Sequence, residues 1–305
     1  MGRMDVYTQP EAADPVLNPD LVLELVRRHV TQASRVTAVD ESGGEARVYL
    51  VDADVVLKTQ RPHRLRPRTS LAKEAYLLDL LAPVLGDRVP RLLGYDRIDT
   101  GQGAVEYICM TRMPGRATRD PGVLSELGPL LRTLHATPVD LARLPADTTA
   151  TALRRRLENG FGDIADGVGE GDQARVEGLL PAPLPEVIGR ALAALPDHLS
   201  QAPVLLHSNP GTSHVFADPG SGRLAGVIDF GDSYASHPAL DLHRWADPAD
   251  RIALRGAYLG GEAATPEFDR MWTIAMIYAD LLAVRGGSPH AANAAADLAA
   301  RLDTL

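Results

Sequence analysis

Apolar positions recur at helical spacing over residues 20–33, after the start signal Asn18-Pro19-Asp20, and predict a first helix. Three short β-branched runs then predict strands: Arg35–Val39, Ala46–Val51 and Asp54–Thr59. The connections are Glu41-Ser42-Gly43-Gly44-Glu45 and a tight Asp52-Ala53 turn. A second helical pattern covers Leu71–Leu85 and stops at Gly86; Val105–Met110 reads as a further strand, and Pro114-Gly115 breaks the chain. Beyond this break, long Leu/Ala-rich helical patterns dominate, at Val123–His135, Thr151–Glu158, Leu184–Leu195 and Arg270–Arg285. The run from Asn159 through Asp172 is rich in Gly and acid and reads as a mobile loop. Strands first and helices afterwards predict an α+β chain, with a small β-sheet N-lobe over residues 1–113 and a larger helical C-lobe over 114–305.

Composition narrows the function. The 305 residues carry a net charge of −9, which argues against a nucleic-acid partner, since phosphate backbones need a basic surface. An acidic balance suits a cationic small molecule. No apolar run approaches the roughly 18 residues of a membrane span, and the N-terminal stretch lacks the apolar core of a signal peptide, so a cytoplasmic location is expected. Cys109 is the single cysteine, which excludes an intramolecular disulfide framework. Lysine occurs only at Lys58 and Lys73. In a chain that otherwise uses arginine, a lysine near the end of an apolar strand calls for a specific explanation.

Two segments carry the candidate chemistry. One reads Leu205-Leu206-His207-Ser208-Asn209-Pro210-Gly211-Thr212-Ser213-His214-Val215-Phe216; the other, Leu224-Ala225-Gly226-Val227-Ile228-Asp229-Phe230-Gly231-Asp232. Each joins a short apolar strand to polar groups, the arrangement a metal-bound nucleotide requires. Over roughly residues 30–290 the chain resembles the aminoglycoside phosphotransferase family, small-molecule kinases with a two-lobed protein-kinase-like fold. It departs at one position: the family's catalytic loop reads His-x-Asp, and the third residue here is Asn209.

The resemblance implies roles residue by residue. Lys58 faces the nucleotide phosphates and Glu74 holds its ammonium. Ser42 lies in the phosphate-covering hairpin. Thr111 and Met113 read the base through their backbone, while Met110 and Met113 wall it. Asp229 is the main Mg²⁺ ligand, in keeping with the preference of that cation for oxygen donors, and His214 is a second ligand. His207 braces the catalytic loop and Asp241 ties it down. Asp232 and Ser233 either approach the acceptor or cap the following segment. A competing zinc site on His207 and His214 lacks further nitrogen or sulfur ligands.

The expected activity is transfer of the γ-phosphate of ATP or GTP, with Mg²⁺, to a hydroxyl of a small antibiotic-like molecule, as in antibiotic resistance. An aminoglycoside, a macrolide or a basic peptide antibiotic is the expected class of acceptor. If the acceptor is cationic, carboxylates among Asp163, Asp166, Glu170 and Asp172 are expected to line its pocket. A carboxamide at 209 orients a hydroxyl but is a poor base. Three readings of Asn209 stay open: a deliberate Asp→Asn change, a natural chain with little or no kinase activity, or compensation by another carboxylate such as Asp232. The alternative function is a non-catalytic pseudokinase that binds nucleotide or antibiotic.

Overall fold

The computed structural model describes residues 7–101, 103–169 and 171–305. In chain order it opens with α1 (Pro19–Arg27), capped by Asn18, whose side chain accepts from the Leu21 amide. Then come β1 (Val36–Asp40), β2 (Ala46–Val51), β3 (Val55–Gln60), α2 (Leu71–Leu85), β4 (Leu92–Thr100), β5 (Gly103–Thr111) and the two-residue β6 (Arg116–Ala117). Helices follow, α3 (Leu124–Ala136), α4 (Ala150–Asp166), α5 (Gln173–Leu179) and α6 (Leu184–Ala193), before β7 (Val204–Leu206). The hairpin β8 (Val215–Ala217) and β9 (Leu224–Val227) precedes β10 (Tyr234–Ser236), α7 (Pro248–Leu259), α8 (Pro266–Arg285) and α9 (Ala291–Asp303).

Packing divides these elements into two compact units, discontinuous in sequence. The described residues up to Thr118 group with Ser213–Ser233, and Arg119–Thr212 groups with Tyr234–Leu305. A cut of the chain at residue 113 therefore leaves the 213–233 segment with the helices, whereas its packing is with the N-terminal sheet.

The first unit is built on a five-stranded antiparallel sheet in the order β1-β2-β3-β5-β4. Successive residues of a strand point to opposite faces, so register assigns each side chain a side. Tyr49 and Val51 of β2, Val55 and Leu57 of β3, and Tyr107 and Cys109 of β5 pack with Val22, Leu25 and Val26 of α1 in one buried cluster. The alternate residues, Val48 and Leu50, Val56 and Lys58, and Met110, line a cavity. Lys58 pairs across the ladder with Val48 and Ile108, in the middle of the sheet. The hairpin β8–β9 pairs with β6 in a second, three-stranded sheet. Gly115, from the Pro-Gly break, has φ +82°, and a Cβ there would lie 2.1 Å from Ala217 O, so only glycine fits.

The second unit is helical, with the two-stranded sheet β7–β10. Asp280 of α8, fully buried, is held between Arg251 Nη1 at 2.7 Å and Arg301 Nε at 3.0 Å, which ties α7, α8 and α9 together.

Several expectations need correction. The first helix ends at Arg27, where 20–33 was expected. The Gly- and acid-rich run is not all loop: Asn159, Gly160, Gly162, Asp163 and Asp166 belong to α4, because Phe161 and Ile164 are buried on its inner face. Gly160 lets the Tyr278 ring approach, with a Cβ position only 3.2 Å from Tyr278 Cε2. Asp172 pairs with Arg175 at the start of α5, and Glu170 lies outside the described residues. β4, β10, α5, α7 and α9 are not among the expected elements; β10 and α5 are short and β4 is mostly part-exposed, whereas α9 buries Ala291, Ala294, Ala295, Leu298 and Leu302 at helical spacing. Among the described residues no helix is long and apolar enough to cross a membrane.

Candidate active site

In the first unit, a cavity of about 520 Å³ lies between the sheet and the β8–β9 hairpin. That volume suits a drug- or nucleotide-sized ligand. One wall is apolar, from Val48, Leu50, Val56, Met110, Met113 and Ile228; Ser42, Gly43 and Gly44 of the β1–β2 turn contribute another. Its charged and titratable lining includes Lys58, Glu74, His214, Asp229 and Asp232, together with Asp40, Glu45 and Arg112.

Three elements bring these groups together. Lys58 comes from the cavity face of β3. Helix α2 is capped by Ser70, whose hydroxyl accepts from the Lys73 amide, and its first turn presents Glu74, 1% exposed. His214 precedes β8 and Asp229 follows β9, so antiparallel pairing sets them side by side, with His214 Nε2 3.4 Å from Asp229 Oδ2. Lys58 Nζ donates to Glu74 Oε2 and to Asp229 Oδ1, each at 2.8 Å. Burial alone would lower the Lys58 pKa, but the two carboxylates outweigh it and hold the ammonium protonated, above the usual lysine value. Burial also lifts the Glu74 carboxyl above its ordinary value, against the pull of Lys58.

Asp229 has φ +71° and Ser208 has φ +80°, two of the three non-glycine residues with positive φ among those described. Such conformations cost of order 1–3 kcal/mol and persist where the surroundings impose them. The Asp229 carboxylate, 41% exposed at its side chain, opens onto the cavity. A carboxylate of this kind suits the oxygen-donor preference of Mg²⁺, which is ordinarily bound through one or two carboxylates. Among the described residues no group of three or more His, Cys, Asp or Glu side chains is arranged to hold a metal, so a fully protein-caged ion is not built here. His214 is placed to approach such an ion; its imidazole suits Mg²⁺ less well than the carboxylate does.

Ser42, Met110, Thr111 and Met113 all line the same cavity. The Thr111 amide donates to Arg91 O at 2.9 Å and the Arg112 amide to Asp54 O at 2.7 Å, so these two donors are committed to backbone flanking the strands. Asp232 also reaches the cavity and accepts from Thr69 Oγ1 at 2.7 Å.

The remaining expected residues cluster in the second unit. Asp241, fully buried, accepts from the His207 amide and the Ser208 amide, both at 2.7 Å. The Asn209 amide donates to His207 Nδ1 at 3.3 Å. Four further residues fix this loop, and sequence reasoning did not find them. His135 Nε2 lies 3.1 Å from Asp241 Oδ2 and its Nδ1 lies 3.0 Å from Tyr258 Oη; Arg244 Nε donates to Ser208 O, and Trp245 Nε1 to Pro210 O. These contacts join residues 35 or more positions apart, and no local pattern announces them. Lys73, the other lysine, is used inside the first unit, where its ammonium donates to Arg68 O and Ser233 O.

The sequence pattern of the phosphotransferase enzyme family (APH) matches residues 36–272. Similar solved structures include macrolide 2'-phosphotransferase MphH from Brachybacterium faecium, as apoenzyme, at 25% identity, covering 94% of this chain and 98% of that one with a TM-score of 0.58. The streptomycin–ATP–APH(2")-IIa ternary complex is 15% identical, covering 88% and 90% with a TM-score of 0.60. The GDP complex of wild-type aminoglycoside 2'-phosphotransferase-IIIa is 16% identical, covering 94% and 98% with a TM-score of 0.57. The fold these structures share is the kinase-like α+β architecture expected above. Matched over most of its length, the chain belongs to the phosphotransferase enzyme family.

Proposed function

We propose that this protein is a nucleotide-dependent O-phosphotransferase that acts on a hydroxyl of a small antibiotic-like molecule, and that Asn209 limits its rate. The observation that carries the reading is Lys58, bridging Glu74 and Asp229 at 2.8 Å on the wall of a cavity of nucleotide size. Lys58 is the phosphate-binding cation and Glu74 fixes its ammonium. Asp229 holds Mg²⁺, with His214 beside it. When bound, the metal neutralises charge that develops on the transferred phosphoryl group. Met110 and Met113 pack on the base, Thr111 and Met113 offer it backbone polar groups, and Ser42 with its glycines covers the phosphates.

In this mechanism the Asn209 side chain orients the acceptor hydroxyl without taking its proton. Asp241 holds the His207–Ser208 backbone in the strained geometry that presents residue 209. The complexes of similar proteins with ATP and with GDP support a nucleotide ligand, and leave both ATP and GTP as donors to be compared. A non-catalytic nucleotide- or antibiotic-binding protein is the second reading, and the observation favouring it is Asn209 itself. Mass spectrometry of a panel of aminoglycosides, macrolides and basic peptide antibiotics, incubated with ATP or GTP and Mg²⁺, tests the proposal. A phosphorylated product with the wild-type chain or with Asn209→Asp supports it. Nucleotide binding with no product from either protein favours the second reading.

A further inference from the structure

The linker Arg61–Ser70, between β3 and α2, carries four arginines in a chain of net charge −9. Leu65 and Thr69 line the cavity, so the turn between them borders its rim; the Thr69 amide donates to Arg66 O at 3.1 Å. Arg66, half exposed at its side chain, extends to the β1–β2 turn and meets Glu45, with Nε 2.9 Å from Oε1. Glu45 is itself a lining residue and its side chain is 19% exposed.

The charges around the cavity make this pair unusual. The lining includes the carboxylates of Asp40, Glu45, Glu74, Asp229 and Asp232, against the cations Lys58 and Arg112. Lys58 is already shared between Glu74 and Asp229. A metal on Asp229 would answer one carboxylate, but a nucleoside triphosphate adds more negative charge than Lys58 alone offsets. Arg112 also lines the cavity, and a further cation stands at its rim in Arg66, whose partner Glu45 sits unfavourably: burial lifts the Glu45 carboxyl above its ordinary value, and Asp232 and Asp229 add to this against the pull of Arg66. Guanidinium matches two phosphate oxygens in a fork, and is less strongly hydrated than an ammonium, so exchange between a carboxylate and a phosphate costs little geometry.

We infer that Arg66 is a phosphate-binding residue held on Glu45 at the rim of the cavity, and that it transfers from Glu45 to the terminal phosphates when a nucleotide binds. This deepens the nucleotide reading of the same cavity and rests on it. Glu45 thus acts as a competitor for Arg66 in the empty protein, and the β3–α2 linker contributes to discrimination between triphosphate and monophosphate.

The test is calorimetric titration of the full chain with ATP, ADP and AMP in excess Mg²⁺, for wild type, Arg66→Gln, Arg66→Lys and Glu45→Gln. Arg66→Gln is expected to weaken ATP by about tenfold while AMP changes less than about twofold, the size of one charge-assisted contact at a partly exposed site. Arg66→Lys should recover part of the loss, and Glu45→Gln should tighten ATP several-fold by releasing the arginine. Equal effects of Arg66→Gln on ATP and AMP, or none on ATP, overturn the inference while leaving the nucleotide site intact. Failure of wild type to bind any of the three overturns the nucleotide reading, and this inference with it.

Discussion

A carboxamide and a carboxylate at position 209 occupy nearly the same volume, so Asn209→Asp changes charge and proton acceptance more than packing. General-base assistance contributes roughly 10²–10⁴ in rate, or about 3–5 kcal/mol. Asn209→Asp is therefore expected to raise phosphoryl transfer by about that factor, read as initial rate on any acceptor the panel identifies. An unchanged rate with retained nucleotide binding would mean that residue 209 is not the missing base. Asp232 is one of the carboxylates already present at the cavity, with Thr69 donating to it. If it supplies the base, Asp232→Asn abolishes the residual wild-type rate; a wild-type rate that survives this change removes Asp232 from the chemistry. Lys58, Glu74 and Asp229 stand out in the sequence because ammonium and carboxylate groups are among the few side chains able to hold phosphate and metal, and the structure brings the three together. Their distances are not legible, since Lys58 and Asp229 are 171 positions apart.

At the scale of elements, legibility followed apolar pattern. β2, β3 and α2 lie within about a residue of where the alternation and helical periods put them, because each buries a continuous face. β4 is a sheet edge with a mostly part-exposed pattern, and α4 runs through two glycines because Phe161 and Ile164 bury there and outweigh local propensity. Buried charge also binds elements together invisibly to a sequence pattern. Asp280→Ala would leave Arg251 buried without its carboxylate, and a loss of about 3–5 kcal/mol in denaturant unfolding is expected. A loss below about 1 kcal/mol would show that the Arg251–Asp280–Arg301 set does not hold α7, α8 and α9 together. His237, just before the turn Pro238–Asp241, accepts from the Ala239 amide through Nδ1. Burial lowers its pKa from the ordinary 6.5 to about 4. The unfolded chain then binds a proton below pH 6.5 that the folded chain refuses, so stability falls as pH drops from about 6.5 to 4, by up to about 3 kcal/mol. His237→Asn retains a capping acceptor and should flatten this part of the profile; the same slope in both proteins would assign it to other groups.

At the scale of the whole molecule, the chain leaves its N-terminal sheet at Thr118 and returns to it for Ser213–Ser233 before completing the helical unit. The return delivers His214 and Asp229 to the cavity that holds Lys58 and Glu74, so the proposed phosphate and metal groups belong to one compact unit. His207, Asn209 and Asp241 belong to the helical unit. This division allows nucleotide binding and turnover to be separated by mutation: changes at Lys58 or Asp229 should affect affinity, and changes at Asn209 should affect rate. The most direct measurement is calorimetric titration of the wild-type chain, Lys58→Ala and Asp229→Ala with ATP and Mg²⁺. Saturable wild-type binding, weakened at least tenfold in Lys58→Ala and reduced in its Mg²⁺ dependence in Asp229→Ala, is the predicted result; no heat of binding by wild type at millimolar nucleotide would contradict it.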